Sequence, residues 1–290
     1  MFSVRNVMAP VDFSEASIRA LAYGVEIARR FDASLCVAHI IPVSIPAFYA
    51  YPVPSPEWQT SHTIAAENRI RSLVTQEDRD RLRCTFVARC GHIDEELIEI
   101  INEASIDFVV MGSHGRRAFQ KWFLGSVTLN MLRKVPVPIL TVTHSHRPAV
   151  LPFKGILAAT DLSAAASHGL QIAASLARAF DSRLTVVNVL TDEPEKASAI
   201  AEVIPSKIDG VTVHKQLLAG TPHEAIVQYA EGNEFDLIVL TLQGKGFVSR
   251  ALLGSTAERV VASTVLPVLS VPYFGGSPEG QPNPPSGSAD

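Results

Sequence analysis

The part of this sequence best equipped for chemistry on a charged ligand is Met111-Gly112-Ser113-His114-Gly115-Arg116, followed, with nine residues between Gly115 and Gly125, by Gly125-Ser126-Val127. Gly112 and Gly115 permit backbone conformations and close approaches that a Cβ would block, so that amide N–H groups can face an anion. Gly125-Ser126 at a helix start adds free amides, a hydroxyl and the positive end of the helix dipole, all suited to phosphate oxygens. Arg116, Arg117 and Lys121 supply screening charge. On spacing alone the same glycines serve equally well as turn formers, with Ser126 capping a helix. The early segment Ala9-Pro10-Val11-Asp12-Phe13-Ser14 holds no glycine, which excludes a Rossmann fingerprint and a Walker loop there. Gly244-Lys245-Gly246 is a fragment of either.

Other constellations carry less. His144 and His146 alternate as metal ligands on a strand would, but a solvated pair between domains fits them better, and no metal site is expected. His114 has no nucleophile elbow around it, so no catalytic residue is assigned. Cys36, Cys84 and Cys90 lack C-x-x-C spacing, and the first two stand in apolar runs as small core residues. Pro46, Phe48, Tyr49, Tyr51 and Trp58 form a Pro-rich aromatic stretch that could cover a ligand, meet a partner or pack on a sheet edge.

The elements that must position these residues come twice. Val11-Asp12-Phe13-Ser14 recurs as Thr160-Asp161-Leu162-Ser163, and Leu21, Ala28, Arg29, Phe31, Asp32 and Leu35 return as Leu170, Ala177, Arg178, Phe180, Asp181 and Leu184. Further on, in a shortened register, Gly91, Glu95, Asp107, Gly115, Gly125, Ser126 and Pro138 meet Gly220, Glu224, Asp236, Gly244, Gly254, Ser255 and Pro267. The second copy has lost the counterpart of the Pro-rich stretch and part of the helix after it, which marks that piece as an elaborated loop.

Short apolar runs at 7–11, 35–41, 108–111 and 139–142 read as parallel strands covered on both faces, with partners at 156–159, 184–190, 237–240 and 268–271. A fifth strand falls at 84–88 and again at 211–217, and helices beginning at Ser14, Glu57, Ile93 and Ser126 fill the crossovers. The expectation is an α/β protein of two repeated, doubly wound, five-stranded parallel-sheet domains. Ser14 and Ser163 are natural N-caps, and Asp12 three before Glu15 offers a capping box in another register. Domain boundaries are placed at 1–143 and 154–273, with a linker at 144–153 and a tail of Gly, Pro, Ser and acidic residues at 274–290 that cannot bury apolar surface.

Charged residues make up 19% and apolar residues 47%, the balance of a soluble globular chain, and the net charge of -4 argues against a nucleic-acid partner. The start, Met1-Phe2-Ser3-Val4-Arg5, lacks a charged leader followed by an apolar stretch, and no run of about 18 apolar residues occurs. A cytoplasmic protein without a membrane partner is expected.

The string Gly-x2-Gly-x9-Gly-Ser after a strand ending Val-Val-Met, with the early Val-Asp-Phe-Ser and the late Val-Pro-Ile-Leu, resembles the ATP-binding signature of the universal stress proteins of the UspA type, here as a tandem. The resemblance covers residues 4–143 and 154–272 and implies their fold, like that of the adenine nucleotide alpha hydrolases. It implies ATP, with or without magnesium, bound between the first and fourth strands of copy one: Pro10, Val11 and Asp12 near adenine and ribose, Ile40 against the base, Met111 and Gly112 beneath it. Gly115, Arg116, Gly125, Ser126 and Val127 would then hold the phosphates.

In copy two the first glycine becomes Thr241, giving Thr241-x2-Gly244-x9-Gly254-Ser255-Thr256, while Asp161 and Val189 stand for Asp12 and Ile40. A β-branched residue is costly where the backbone needs positive φ or lies against a ligand, so weak or absent nucleotide binding is expected there. The reading is a stress-response regulatory module that binds ATP in its first half. The resemblance also implies pairing of strands 137–142 and 266–271 within the chain and a homodimer of tandem chains. The alternatives are a weak ATP hydrolase and a structural stress protein whose second half takes another ligand.

Overall fold

The computed structural model describes residues 2–43, 55–113, 124–143, 151–190, 197–243 and 254–273. The first half runs β1 (Asn6–Pro10), α1 (Glu15–Phe31), β2 (Ser34–Pro42), α2 (Pro56–Arg71), α3 (Gln76–Arg81), β3 (Cys84–Gly91), α4 (Ile93–Glu103), β4 (Phe108–Gly112), α5 (Ser126–Lys134) and β5 (Ile139–Val142). The second runs β6 (Gly155–Ala159), α6 (Ala164–Phe180), β7 (Arg183–Leu190), α7 (Ala197–Val203), β8 (Lys207–Ile208), β9 (Val211–Ala219), α8 (Pro222–Gly232), β10 (Leu237–Thr241), α9 (Ser255–Ser263) and β11 (Val268–Val271).

Each half is the doubly wound α/β sheet that the repeat implies, and the two halves join edge to edge. The strand order is β3-β2-β1-β4-β5-β11-β10-β6-β7-β9-β8. Pairing within each half is parallel apart from the β8–β9 hairpin, whereas β5 and β11 meet antiparallel, with Leu140 opposite Leu269 and Ser270 opposite Ile139. Thr141 Oγ1 donates to Val268 O (3.1 Å) and Thr143 Oγ1 to Val265 O (2.9 Å) across this seam. The expected pairing of the last strands is therefore present.

The apolar strands alternate between two cores. Val7 and Ala9 of β1 belong to one core together with residues of α1 and α6 and with Ile70, while Met8 belongs to the other together with residues of α4, α5, α8 and α9, and both cores draw residues from both halves. Phe153, just before β6, is buried between Tyr23 of α1 (ring centroids 5.7 Å, stacked) and Phe180 of α6 (5.0 Å, edge-on). A buried aromatic of this kind contributes about 1.5–3 kcal/mol through area alone, and here it ties the halves together.

At the amino ends of the strands, each half repeats one polar staple. Asp107, just before β4, accepts from the backbone N–H groups of Arg5 (2.9 Å) and Asn6 (3.0 Å) before β1. Asp236 accepts from Lys154 (2.7 Å) and Gly155 (3.0 Å). Burial pushes the Asp107 carboxyl up, against the pull of these amides.

Two elements were not expected. The helix α3 has no apolar stripe; it is held by its Thr75 cap and by Asp78, buried and 2.6 Å from the Arg29 guanidinium of α1. The strand β8 turns into β9 through Asp209-Gly210, both at positive φ (49° and 84°), the Asp-Gly hairpin turn whose twist suits flanking strands. Most of the segment read as a linker and all of the segment read as a tail lie outside the described residues. No described helix is long and apolar enough to cross a membrane.

Candidate functional site

In the order β3-β2-β1-β4-β5 the chain winds outward from β1 in one direction and from β4 in the other, so a crevice opens at the carboxyl ends of these two strands. Met8 pairs with Val109, which levels Pro10, Val11 and Asp12 with Met111 and Gly112. Ile40 stands near the end of the neighbouring β2. Val11, Ile40 and Met111 are buried, Pro10 and Asp12 partly so, and Ser126 is exposed at the start of α5.

Beyond β1 the chain makes a tight polar turn. Asp12 Oδ1 accepts from Ser14 N–H (3.0 Å) and from the Ser14 hydroxyl (2.6 Å). Ser14 Oγ in turn accepts from Ser17 N–H (3.3 Å), so Ser14 is the cap of α1 and the alternative register headed by Asp12 is not used. The link between them, Phe13, sits in the left-handed region at φ 64°. Arg69 of α2 lies 3.7 Å over the Phe13 ring, and His39 of β2 packs against it at 4.7 Å.

On the other side of the crevice, the neck of the glycine loop is closed. Ser113 N–H donates to Val142 O (2.9 Å), and Gly125 N–H donates to Ser113 O (2.9 Å), which pins the start of α5 to the end of β4. Gly125, not Ser126, is the N-cap, no side chain caps the helix, and its first turn holds no acid. The helical ladder opens with Leu129 N–H to Gly125 O (2.9 Å), so the amides of Ser126, Val127 and Thr128 precede it. Thr128 Oγ1 donates to Gly112 O (2.9 Å), and Asp94 of α4 braces the far end of α5 through Lys134 (3.0 Å) and Asn130 (3.2 Å). The Lys134 ammonium holds the Asp94 carboxyl below its usual range.

The second half repeats this frame. Ser163 N–H donates to Asp161 Oδ1 (3.0 Å), Leu162 is left-handed at φ 62°, and Gly254 N–H donates to Leu242 O (2.7 Å). Val189 lies on β7, and Ser255 and Thr256 open α9.

The reason expected for Gly112 needs one correction. Its φ is not positive; a Cβ there would stand 3.1 Å from Ala16 and from the Ser17 backbone, so the glycine is needed because β4 passes close to α1. At Thr241 the side chain turns the same way, onto α6, where a Cβ at Gly169 would be only 2.8 Å from its Cγ2. In the repeat register Gly169 corresponds to Ala20 and Ala257 to Thr128. Relative to the first half, the strand position is therefore larger (Gly112 to Thr241) and the helix position smaller (Ala20 to Gly169) in the second.

The structure thus gathers Pro10, Val11, Asp12, Ile40, Met111, Gly112, Gly125, Ser126 and Val127 about one crevice. Gly115, Arg116, His114, Arg117, Lys121, Gly244, Lys245, Gly246, His144, His146, Pro46, Phe48, Tyr49 and Tyr51 lie outside the described residues. Trp58 is on α2, partly exposed and stacked on His62 at 3.8 Å. Burial raises the thiols of Cys36, Cys84 and Cys90; Cys36 is buried in the core, while Cys84 and Cys90 are partly exposed. Sequence reading missed His39 and Asn188, whose Nδ1 and Nδ2 meet Val11 O (2.6 Å) and Thr160 O (2.8 Å). The available signal was a polar residue at one repeat position of two otherwise apolar strand cores.

Known proteins bear on this arrangement. The model of the universal stress protein family matches residues 3–143 and 193–272. The universal stress protein Slr1230 of Synechocystis is 30% identical over 173 residues, 58% of this chain, which in turn spans 58% of that protein. Universal stress protein Mb2028c of Mycobacterium bovis is 25% identical over 297 residues, covering 91% of this chain and 96% of its own. The crystal structure of a universal stress protein from Archaeoglobus fulgidus superposes with a TM-score of 0.75 over 93% of this chain and 99% of its own, at 24% identity, and speaks for the fold. With its doubled sheet and its repeated turn and helix-start frame, the chain belongs to the universal stress protein family.

Proposed function

We propose that the first half binds an adenine nucleotide, ATP foremost and with or without magnesium, and that the protein acts as a nucleotide-responsive regulatory module in the stress response. The observation that carries this reading is the uncapped start of α5, cinched to β4 by the Gly125–Ser113 bond at the switch point of the sheet. Amides there, with the positive end of the helix dipole and no acid in the first turn, suit phosphate oxygens. The buried Val11, Ile40 and Met111 provide an apolar flank for the base, beside the polar turn of Asp12. Gly115 and Arg116 of the intervening loop complete the phosphate side in this reading.

The second half is the weaker site. Its phosphate helix α9 carries Glu258 in the first turn, where α5 carries Leu129. Thr241 alone is a poorer explanation, since its side chain packs on α6. The fused chain works in the cytoplasm and assembles further as a homodimer through surfaces outside the β5–β11 seam.

Titration calorimetry of the full chain with ATP, ADP and AMP tests this, with about one strong site per chain expected. Ser126→Pro is a sharp control: proline is tolerated at the first helical position but removes an amide and a hydroxyl. Tenfold or greater loss of ATP affinity with an unchanged melting temperature is expected. A folded protein indifferent to adenine nucleotides at millimolar concentration would overturn the reading.

A further inference from the structure

The turn beyond β1 is held from the side by β2. Val11 N–H donates to Ala38 O (2.8 Å), and Val11 O lies 2.6 Å from His39 Nδ1. A carbonyl oxygen only accepts, so Nδ1 carries the hydrogen. In the second half Thr160 N–H donates to Val187 O (2.9 Å), and Asn188 Nδ2 donates to Thr160 O (2.8 Å). Residues 39 and 188 occupy the same repeat position, so two different side chains present one N–H to one carbonyl, each from the strand beside β1 or β6. Two residues on, each half enters the left-handed region with a residue that is not glycine, Phe13 at φ 64° and Leu162 at φ 62°. Such a residue carries a backbone cost of about 1–2 kcal/mol and persists only where its surroundings fix it.

We infer that His39 and Asn188 are interchangeable positioning residues: each fixes, through one side-chain N–H, the carbonyl from which the ligand-side turn departs. This deepens the nucleotide reading of the first half and rests on it for its functional consequence. The side chain acts through Val11 O and the Asp12 turn and is not itself assigned a ligand contact. What matters at position 39 is then a hydrogen-bond donor at the reach that histidine Nδ1 and asparagine Nδ2 share.

The test compares His39→Asn with His39→Leu in the full chain. His39→Asn should keep ATP affinity within about twofold, whereas His39→Leu, which fills the space without a donor, should lose about tenfold, the equivalent of 1.4 kcal/mol. Amide hydrogen exchange at residues 12–14 should accelerate in His39→Leu and stay at the wild-type rate in His39→Asn, a readout that needs no ligand. Equal behaviour of the two variants, retained or lost together, overturns the inference. If the wild-type chain binds no ATP, the nucleotide reading fails while hydrogen exchange still decides the clamp. If His39→Leu does not fold, Asn188→Leu against Asn188→His asks the same question at residues 161–163.

Discussion

Thr241 Cγ2 occupies the space that a side chain at Gly169 would need: a Cβ at that glycine would stand 2.8 Å from it. Ala20 and Gly112 stand at the corresponding positions of the first half, with the smaller residue on the strand instead of the helix. Overpacking of this kind costs about 1–3 kcal/mol. Gly112→Thr should therefore destabilise the protein and weaken ATP binding, since its Cβ would press on Ala16 and the Ser17 backbone. Gly169→Ala should lose stability despite the helix propensity it gains, and Gly169→Ala with Thr241→Gly should recover it. Urea denaturation of singles and doubles gives the interaction energy; strict additivity would show that the exchange is accidental.

At the seam, the repeat positions 141 and 270 differ in their bonding. Thr141 Oγ1 donates to Val268 O, whereas Ser270 Oγ, wholly buried, has no hydrogen-bond partner among the described residues. Ser270→Ala is expected to be neutral or stabilising by about 1 kcal/mol, since it removes a desolvated hydroxyl. Thr141→Val should cost about that much. Thermal unfolding of the two variants checks the contrast, and a destabilised Ser270→Ala would contradict it.

Phe153→Ala should cost about 3–5 kcal/mol, in the range of large-to-small changes at buried aromatic sites. The side chain bridges α1 and α6, so calorimetry should also show the two halves unfolding less cooperatively. A loss confined to the second half, with the first unaffected, would mean that the ring packs without coupling.

Asp94 gives a pH dependence with a definite sign. Its folded-state carboxyl titrates below the unfolded value of about 3.9 because Lys134 donates to it. The stabilisation is thus complete above about pH 4 and is lost as pH falls through the lower, folded value. Both partners are partly exposed, so the effect is small, about 0–1 kcal/mol. Asp94→Asn should flatten that part of the acid-unfolding curve and loosen α5, read as faster amide exchange in its last turn. An unchanged acid limb would remove Asp94 from the account.

Much of this architecture is legible in the residues themselves. Parallel strands buried on both faces read as continuous apolar runs, and the runs at 108–111 and 139–142 match β4 and β5 to within a residue. The repeat carried information that propensity could not: Asp107 and Asp236 recur because each staples two strand starts. Gly112 was legible as a necessary glycine but not as to why, since a sequence does not distinguish positive φ from close approach. Its partner in that question, Gly169, is remote in the chain from Thr241 and becomes relevant only when α6 crosses β10. The helix α3 escaped notice because it has no apolar stripe and is held by its Thr75 cap and by the pair of Asp78 with Arg29 of α1, while the Asp-Gly turn before β9 was present to be read.

The antiparallel contact of β5 with β11 has a further consequence. Both strands belong to one polypeptide, so their union is unimolecular and persists at dilutions where separate subunits would part. A self-matching interface between identical chains must suit two copies of one surface. Covalent fusion lifts that restriction. One-sided features such as the Arg133–Glu258 pair (3.7 Å) and the unequal Thr141 and Ser270 can accumulate, and the two crevices are free to specialise without losing each other.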